Sequence, residues 1–318
     1  MRAVEISAPG GPDVLRVVER AKPVPQDGEV VISVKAAGVA RADAMQRQGK
    51  YPPPPGASDI PGLEIAGVIE PTGERVCALL TGGGYAEYAV VPRAHVLPIP
   101  DGWDFVEAAT LPENAFTVYD NLFTRAGLHE DESVLIHGGS SGVGTTAIMM
   151  ARAFGAGFIA VTAGSEQKCA ACRELGAHLA INYKHADFVT EIKKATSDRG
   201  VDVILDIVGG DYIPRDLDAL APDGRIACIA TPRGRETAID LGGLMRKRGA
   251  IMGSALRARS VEQKAAIAAG LLRDVWPKLP AKDPIRPVVD STFPLADAAA
   301  AHRRLEESAH VGKIVLVI

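Results

Sequence analysis

At 318 residues the chain is long for a single hydrophobic core and predicts about two domains. Its composition is that of an ordinary globular protein, 47% apolar and 23% charged, and a net charge of −4 argues against the broad basic footprint of a dedicated nucleic-acid binder. The opening MRAVEISAPGG lacks the basic-then-apolar layout of a secretion signal, and the longest charge-free stretch, Ser133 to Ala151, is broken by glycines, so a cytoplasmic protein without a membrane span is expected.

Residues 1–117 read as short strands between turn signals: EVVISVKAAGV, EIAGVIE, RVCALL and YAEYAVV. ARADAMQRQG predicts a short helix closed by Gly49. YPPPPGASDIPG predicts a stiff loop, because proline lacks a donor and fixes φ. From 118 to 257 the rhythm changes. Six apolar runs, SVLIHGG, FIAVTAG, HLAINY, VDVILDIVGG, GRIACIA and AIMGSAL, alternate with helical patterns. Such alternation implies a parallel sheet with helices on both faces. Residues 258–318 predict a helix at SVEQKAAIAAGLLRDVWPKL, a strand near PVVDSTF, a helix at LADAAAAHRRLEE and a closing strand, KIVLVI. Cys169 and Cys172 form a C-x-x-C, but inside a helix rather than at its start, where the dipole would lower a thiol pKa, so they read as packing residues. Arg246, Lys247 and Arg248 read as a solvated helix end.

The stretch SVLIHGGSSGVGTTAIMMARAFGA is strand, glycine-rich turn and helix. Backbone N–H groups at such a helix start can approach an anion, and the helix dipole favours it. Ser141, Gly142, Val143 and Gly144 are the candidate anion-binding residues, with Gly142 and Gly144 expected to permit close approach and Ser140 and Ser141 to add hydroxyls. One strand later, FIAVTAGSEQK ends without the carboxylate that would accept hydrogen bonds from an adenosine ribose. Gly164, Ser165 and Lys168 stand there instead, and Tyr183 of INYK can add a phenol. A hydroxyl, an ammonium and helix N–H groups suit a 2′-phosphate, so NADPH is the expected cofactor. The rival acid, Glu166, is expected on the first helical turn, pointing to solvent.

With these residues in view, the chain resembles the zeta-crystallin-like NADPH:quinone oxidoreductases of the medium-chain dehydrogenase/reductase superfamily. The resemblance runs through RADAMQRQGKYPPPPGASDIPGLE, LLTGGGYAEYAVVP, LIHGGSSGVGTTAI, VTAGSEQK, INYK and VGKIVL. It implies a Rossmann domain, a doubly wound parallel sheet over 118–257, inserted in a GroES-like β-barrel catalytic domain built from 1–117 and 258–318, with an active site in the cleft between them. It implies hydride transfer from NADPH to quinones, ortho-quinones in particular, and adds Val208, Leu256 and Lys313 to the cofactor-binding candidates. The alternatives are a reductase of α,β-unsaturated carbonyl or acyl thioester compounds and a non-catalytic NADPH-binding protein.

Zinc-dependent relatives carry a Cys near GVARAD and a His in PGLEIAG, where this chain has Ala40 and Leu63. Two of about three ligands for a catalytic zinc are therefore missing, and no metal is expected. Ala40 also replaces an Asn that many relatives carry near the nicotinamide. Tyr51, after the short helix and before the proline loop, is the candidate for contact with the substrate, by stacking or by hydrogen bonding. Asp43 is expected to pin the short helix, His137 to be packed at its strand end, and Arg257 and Arg259 to be solvated. The last apolar run of the parallel sheet is expected at its edge, where pairing across a two-fold axis would give a homodimer.

Overall fold

The structure, a computed structural model, describes residues 1–279 and 285–318. It divides into two compact units: one contains Met1–Phe116 with most of the chain from Leu256 on, and the other contains Thr117–Ala255.

The first unit opens with an antiparallel pair, β1 (Arg2–Ile6) and β2 (Leu15–Glu19). β3 (Glu29–Val39) leads into α1 (Arg41–Arg47), which ends before Gly49 at φ +73°. The proline loop forms neither helix nor strand. Then follow β4 (Glu64–Glu70), β5 (Arg75–Leu79), β6 (Tyr88–Pro92), β7 (Val96–Pro98) and the helices α2 (Phe105–Ala108) and α3 (Pro112–Val118).

The second unit alternates strand and helix: β8 (Ser133–Ile136), α4 (Gly142–Ala153), β9 (Phe158–Ala163), α5 (Glu166–Glu174), β10 (Leu179–Asn182), α6 (Phe188–Ala195), β11 (Val201–Asp206), α7 (Tyr212–Ala219), β12 (Leu220–Cys228), α8 (Leu241–Lys247) and β13 (Ala250–Gly253). All six strands are parallel, in the order β10-β9-β8-β11-β12-β13. The order reverses between β8 and β11, the switch point outside which ligands bind in doubly wound sheets. The central strands β8 and β11 are buried along their whole length, as expected of strands covered on both faces. β13 lies at the edge. The basic cluster at the end of α8 is less solvated than its sequence suggests. Lys247 Nζ donates to the carbonyls of Leu217, Asp218 and Leu220, because a long cation can satisfy carbonyls that end a neighbouring helix.

The chain then completes the first unit with α9 (Val261–Gly270), β14 (Val289–Pro294), α10 (Ala298–Glu306) and β15 (Lys313–Val317). Its main sheet runs β14-β15-β3-β4-β5-β7, with β6 also on β3. The eleven residues of β3 make this possible: one edge takes β6 along Glu29–Ser33 and β15 along Ala36–Val39, while β4 occupies the other. Both ends of the chain therefore share one core, where Ile32, Ile65 and Val91 pack with Leu305, Ile314 and Leu316. No helix among the described residues is long and apolar enough to cross a membrane.

Candidate functional site

Neighbouring parallel strands end side by side, so the residues that follow β8, β9, β10 and β11 share one edge of the second unit's sheet. Ser141 caps α4: its Oγ accepts the Gly144 N–H at 3.0 Å. The amides of Gly142 and Val143 open the helix, in the first turn that has no intrahelical acceptors, and they are the donors available to an anion. Gly144 has a different task from the one its sequence position suggests. A Cβ there would lie 2.3 Å from the Gly138 carbonyl oxygen and 2.7 Å from Gly139 Cα, so the glycine lets the helix rest on its own turn. Beneath the turn, His137 is fully buried and bonded to Asp216 at 2.7 Å and to Thr162 Oγ1 at 3.0 Å, and that same Thr162 oxygen accepts the Gly138 N–H. His137 thus holds the turn from the core. After β11, the Asp206 carboxylate accepts the N–H groups of Val208 and Gly209, which fixes the course of the loop that carries Val208.

At the end of β9, Ser165 caps α5 by accepting the Lys168 N–H. Gly164 faces the Tyr183 hydroxyl so closely that a Cβ would come within 2.8 Å of it. Gly164, Ser165, Tyr183 and the Lys168 backbone N–H therefore lie together, with Tyr183 46% exposed. Glu166 lies on the first turn of α5 and is exposed, as expected, and its carboxylate also accepts a 2.8 Å bond from Asn182 Nδ2. Cys169 and Cys172 are buried on the same helix, and burial pushes both thiols up, Cys172 to about 12, which removes thiolate reactivity.

Tyr51, Leu256 and Lys313 belong to the first unit. The Tyr51 ring packs under the Arg257 guanidinium at 5.3 Å, and its carbonyl accepts from Arg257 Nη1. Arg257 is not solvated, as its neighbourhood in sequence suggests, but 5% exposed. Its acceptors come from distant segments: the Thr81 carbonyl at 2.9 Å and Gln46 Oε1 at 2.6 Å. Lys264 Nζ donates to the Arg257 carbonyl and to Thr81 Oγ1, and burial together with the Arg257 charge draws its pKa down to about 8. Tyr51 is raised by burial, with Arg257 opposing and Glu113 adding to the rise, so its phenol stays protonated at neutral pH.

Asp43 is fully buried and pins α1 as expected, accepting the N–H groups of Ala40 and Gly62 and the hydroxyl of Tyr85. Behind it, Arg47 Nη1 lies 3.2 Å from His302 Nδ1. A guanidinium only donates, so Nδ1 accepts and Nε2 carries the proton, which it offers to the Tyr85 oxygen at 3.1 Å. Burial, with the Arg47 charge, holds His302 neutral, its pKa drawn down to about 3. The Lys313 ammonium sits 2.6 Å from Glu64 Oε1 in the interior, 5% exposed, and is committed to that pair. Sequence reasoning passed over Glu64, Glu113 and His302. A signal was present: Glu64 and Glu113 each interrupt an apolar run, and a charge so placed is seldom idle.

Residues 26–101 match the alcohol dehydrogenase GroES-like domain, and residues 142–269 match the zinc-binding dehydrogenase family. The quinone oxidoreductase of Lama guanicoe is 34% identical over 100% of this chain and 98% of its own length. The chain belongs to the quinone oxidoreductase family of the medium-chain dehydrogenases/reductases. Solved members of the wider superfamily share the fold over their full length. A quinone oxidoreductase from Thermus thermophilus, solved also as a complex with NADPH, covers 100% of both chains at 33% identity with a TM-score of 0.86. An NAD-dependent alcohol dehydrogenase covers 100% of both chains at 29% identity with a TM-score of 0.87. This quinone oxidoreductase family member departs from the zinc-binding description at Ala40 and Leu63, whose side chains cannot coordinate and are buried. Among the described residues no group of three or more His, Cys, Asp or Glu is placed to hold a metal ion, so the side chains present do not fit one.

Proposed function

We propose that this chain is a zinc-independent, NADPH-dependent reductase of quinones, with ortho-quinones the expected class. The observation that carries the cofactor assignment is the end of β9, where Glu166 is engaged by Asn182, Ser165 caps the helix that carries Lys168, and the Tyr183 hydroxyl lies against Gly164. A ribose hydroxyl pair needs an acceptor there, and a 2′-phosphate needs donors and positive charge, which this corner supplies. The amides of Gly142 and Val143, left free while Ser141 accepts the Gly144 N–H, would take the pyrophosphate, and the ordered loop would place Val208 beside the cofactor. The full-length similarity to quinone oxidoreductases, one of them solved with NADPH, supports both cofactor and acceptor. With Ala40 and Leu63 in place of ligands, no Lewis acid stabilises a developing oxyanion, which favours an acceptor that is already electron-poor. Leu256 would line the nicotinamide end, and Tyr51, its ring held by Arg257, would stack on the acceptor.

The test is a pair of dissociation constants for NADPH and NADH, with NADPH oxidation measured against ortho-quinones, para-quinones and enones in a chelating buffer. NADPH is expected to bind more tightly than NADH, and ortho-quinones to be turned over at an undiminished rate under chelation. Lys168→Ala is expected to weaken NADPH about ten- to hundred-fold while leaving NADH unchanged, the worth of one charge-assisted contact. Equal weakening of both would return the ribose to Glu166.

The exposed edge of β13 supports a homodimer in which a second copy extends the sheet. Light scattering at micromolar concentration is expected to give twice the mass of one chain, and a monomer would contradict it.

A further inference from the structure

Glu166 is the first acid after β9, the place in the chain from which a carboxylate can accept from a ribose hydroxyl pair. Its partner is Asn182, the last residue of β10, which stands beside Ala163 in the parallel register and is 7% exposed. The Asn182 amide is used at both ends. Nδ2 donates to Glu166 Oε1 at 2.8 Å, and Oδ1 accepts the Lys184 N–H at 3.2 Å. These two partners fix the orientation of the amide, since a carboxylate only accepts and a backbone N–H only donates. The Asn182 carbonyl accepts from the N–H groups of His185 and Ala186, so the turn after β10 is wound around this one residue. Tyr183 lies on that turn, with its N–H on the Ala163 carbonyl and its hydroxyl against Gly164.

We propose that Asn182 is a positioning residue that sets the cofactor preference, by holding the Glu166 carboxylate out of ribose contact. The proposal rests on the reading of the chain as NADPH-dependent. Bonded to Asn182, the Glu166 side chain is kept in one rotamer and its Oε1 is occupied. Released, an exposed side chain on the first turn of α5 is free to turn toward Gly164 and Ser165, its neighbours in the chain. There it would accept from ribose hydroxyls, which favours NADH, and repel a 2′-phosphate, which disfavours NADPH. Asparagine suits the task because it carries a donor and an acceptor on one short side chain. Aspartate in its place keeps an acceptor for the Lys184 N–H but sets a second carboxylate against Glu166, so it breaks one bond and spares the other.

The test compares dissociation constants for NADPH and NADH, titrated into the full chain. Asn182→Asp is expected to weaken NADPH about ten-fold and to tighten NADH about three-fold, the scale of one hydrogen bond to a charged group. Opposite signs for the two cofactors are the signature, because damage to the turn would weaken both. The double variant Asn182→Asp with Glu166→Gln has the net charge of the wild type and again sets an amide against a carboxylate. It is expected to return both constants to within about two-fold of the wild-type values. Glu166→Gln alone is expected to leave NADH binding unchanged, because the held carboxylate takes no part in it. Weaker NADPH without a gain for NADH in Asn182→Asp, or a double variant that behaves like the single one, would mean that charge rather than the bond sets the preference, and overturns the role. Loss of NADH affinity in Glu166→Gln overturns it as well, since Glu166 would then already be a ribose ligand. A wild type that binds NADH as tightly as NADPH overturns the cofactor reading itself, whatever the variants do.

Discussion

Lys313→Met is expected to destabilise the first unit by about 3–5 kcal/mol at pH 8 and by much less at pH 5. The ammonium lies 2.6 Å from Glu64, and Glu113 and Asp43 act on it as well. Burial lowers the Lys313 pKa, yet Glu64 and Glu113 outweigh that and hold it above its ordinary value, which measures how strongly the carboxylates need it. Methionine keeps the length and apolar character of the side chain, so the loss is electrostatic rather than a cavity. Without the cation, the remaining carboxyls hold protons in the folded state at pH values where the unfolded chain has released them. The folded state then binds more protons than the unfolded one, so stability falls as pH rises above the ordinary carboxylate range. Urea midpoints for wild type and variant at pH 5 and pH 8 check this, and a gap that does not widen with pH would mean that the pair contributes packing alone.

Gly144→Ala is expected to cost about 3 kcal/mol and to abolish NADPH binding. The added methyl would meet backbone, the Gly138 oxygen at 2.3 Å and Gly139 Cα at 2.7 Å, and no side-chain rotation relieves that contact. Either α4 lifts from the turn or the turn shifts, and in both cases the Gly142 and Val143 amides lose the position from which they meet an anion. The helix itself would favour alanine by roughly 1 kcal/mol, so a net destabilisation separates the steric clash from helix propensity. Urea unfolding and the NADPH dissociation constant are the measurements. A variant with wild-type values for both would show that the turn yields freely and that Gly144 is incidental.

The periodicity of the sequence by itself determined the order of elements and most of their limits. β3 and β4 coincide with EVVISVKAAGV and EIAGVIE, and the six apolar runs became six parallel strands with the glycine turn at the first of them. These features are local: alternation, glycine at positive φ and a cap three residues from its donor are all read within a short window. The approach of Tyr183 to Gly164 was also legible, because adjacent parallel strands bring consecutive strand ends together. Only the tertiary structure decided the fate of the charges. Arg257 looks like one of two exposed arginines after a strand, yet its acceptors lie at residues 46, 51 and 81. Lys313 finds Glu64 and Glu113 from the far end of the chain, and His302 finds Arg47 and Tyr85 in the same way. Gly144 looks like room for an anion and turns out to be room for the Gly138 carbonyl. The physical reason is common to all of them: the cost of burying a charge, and the atom that fills the space a glycine leaves, depend on which distant groups the fold brings within a few ångströms, and that distance has no local signature.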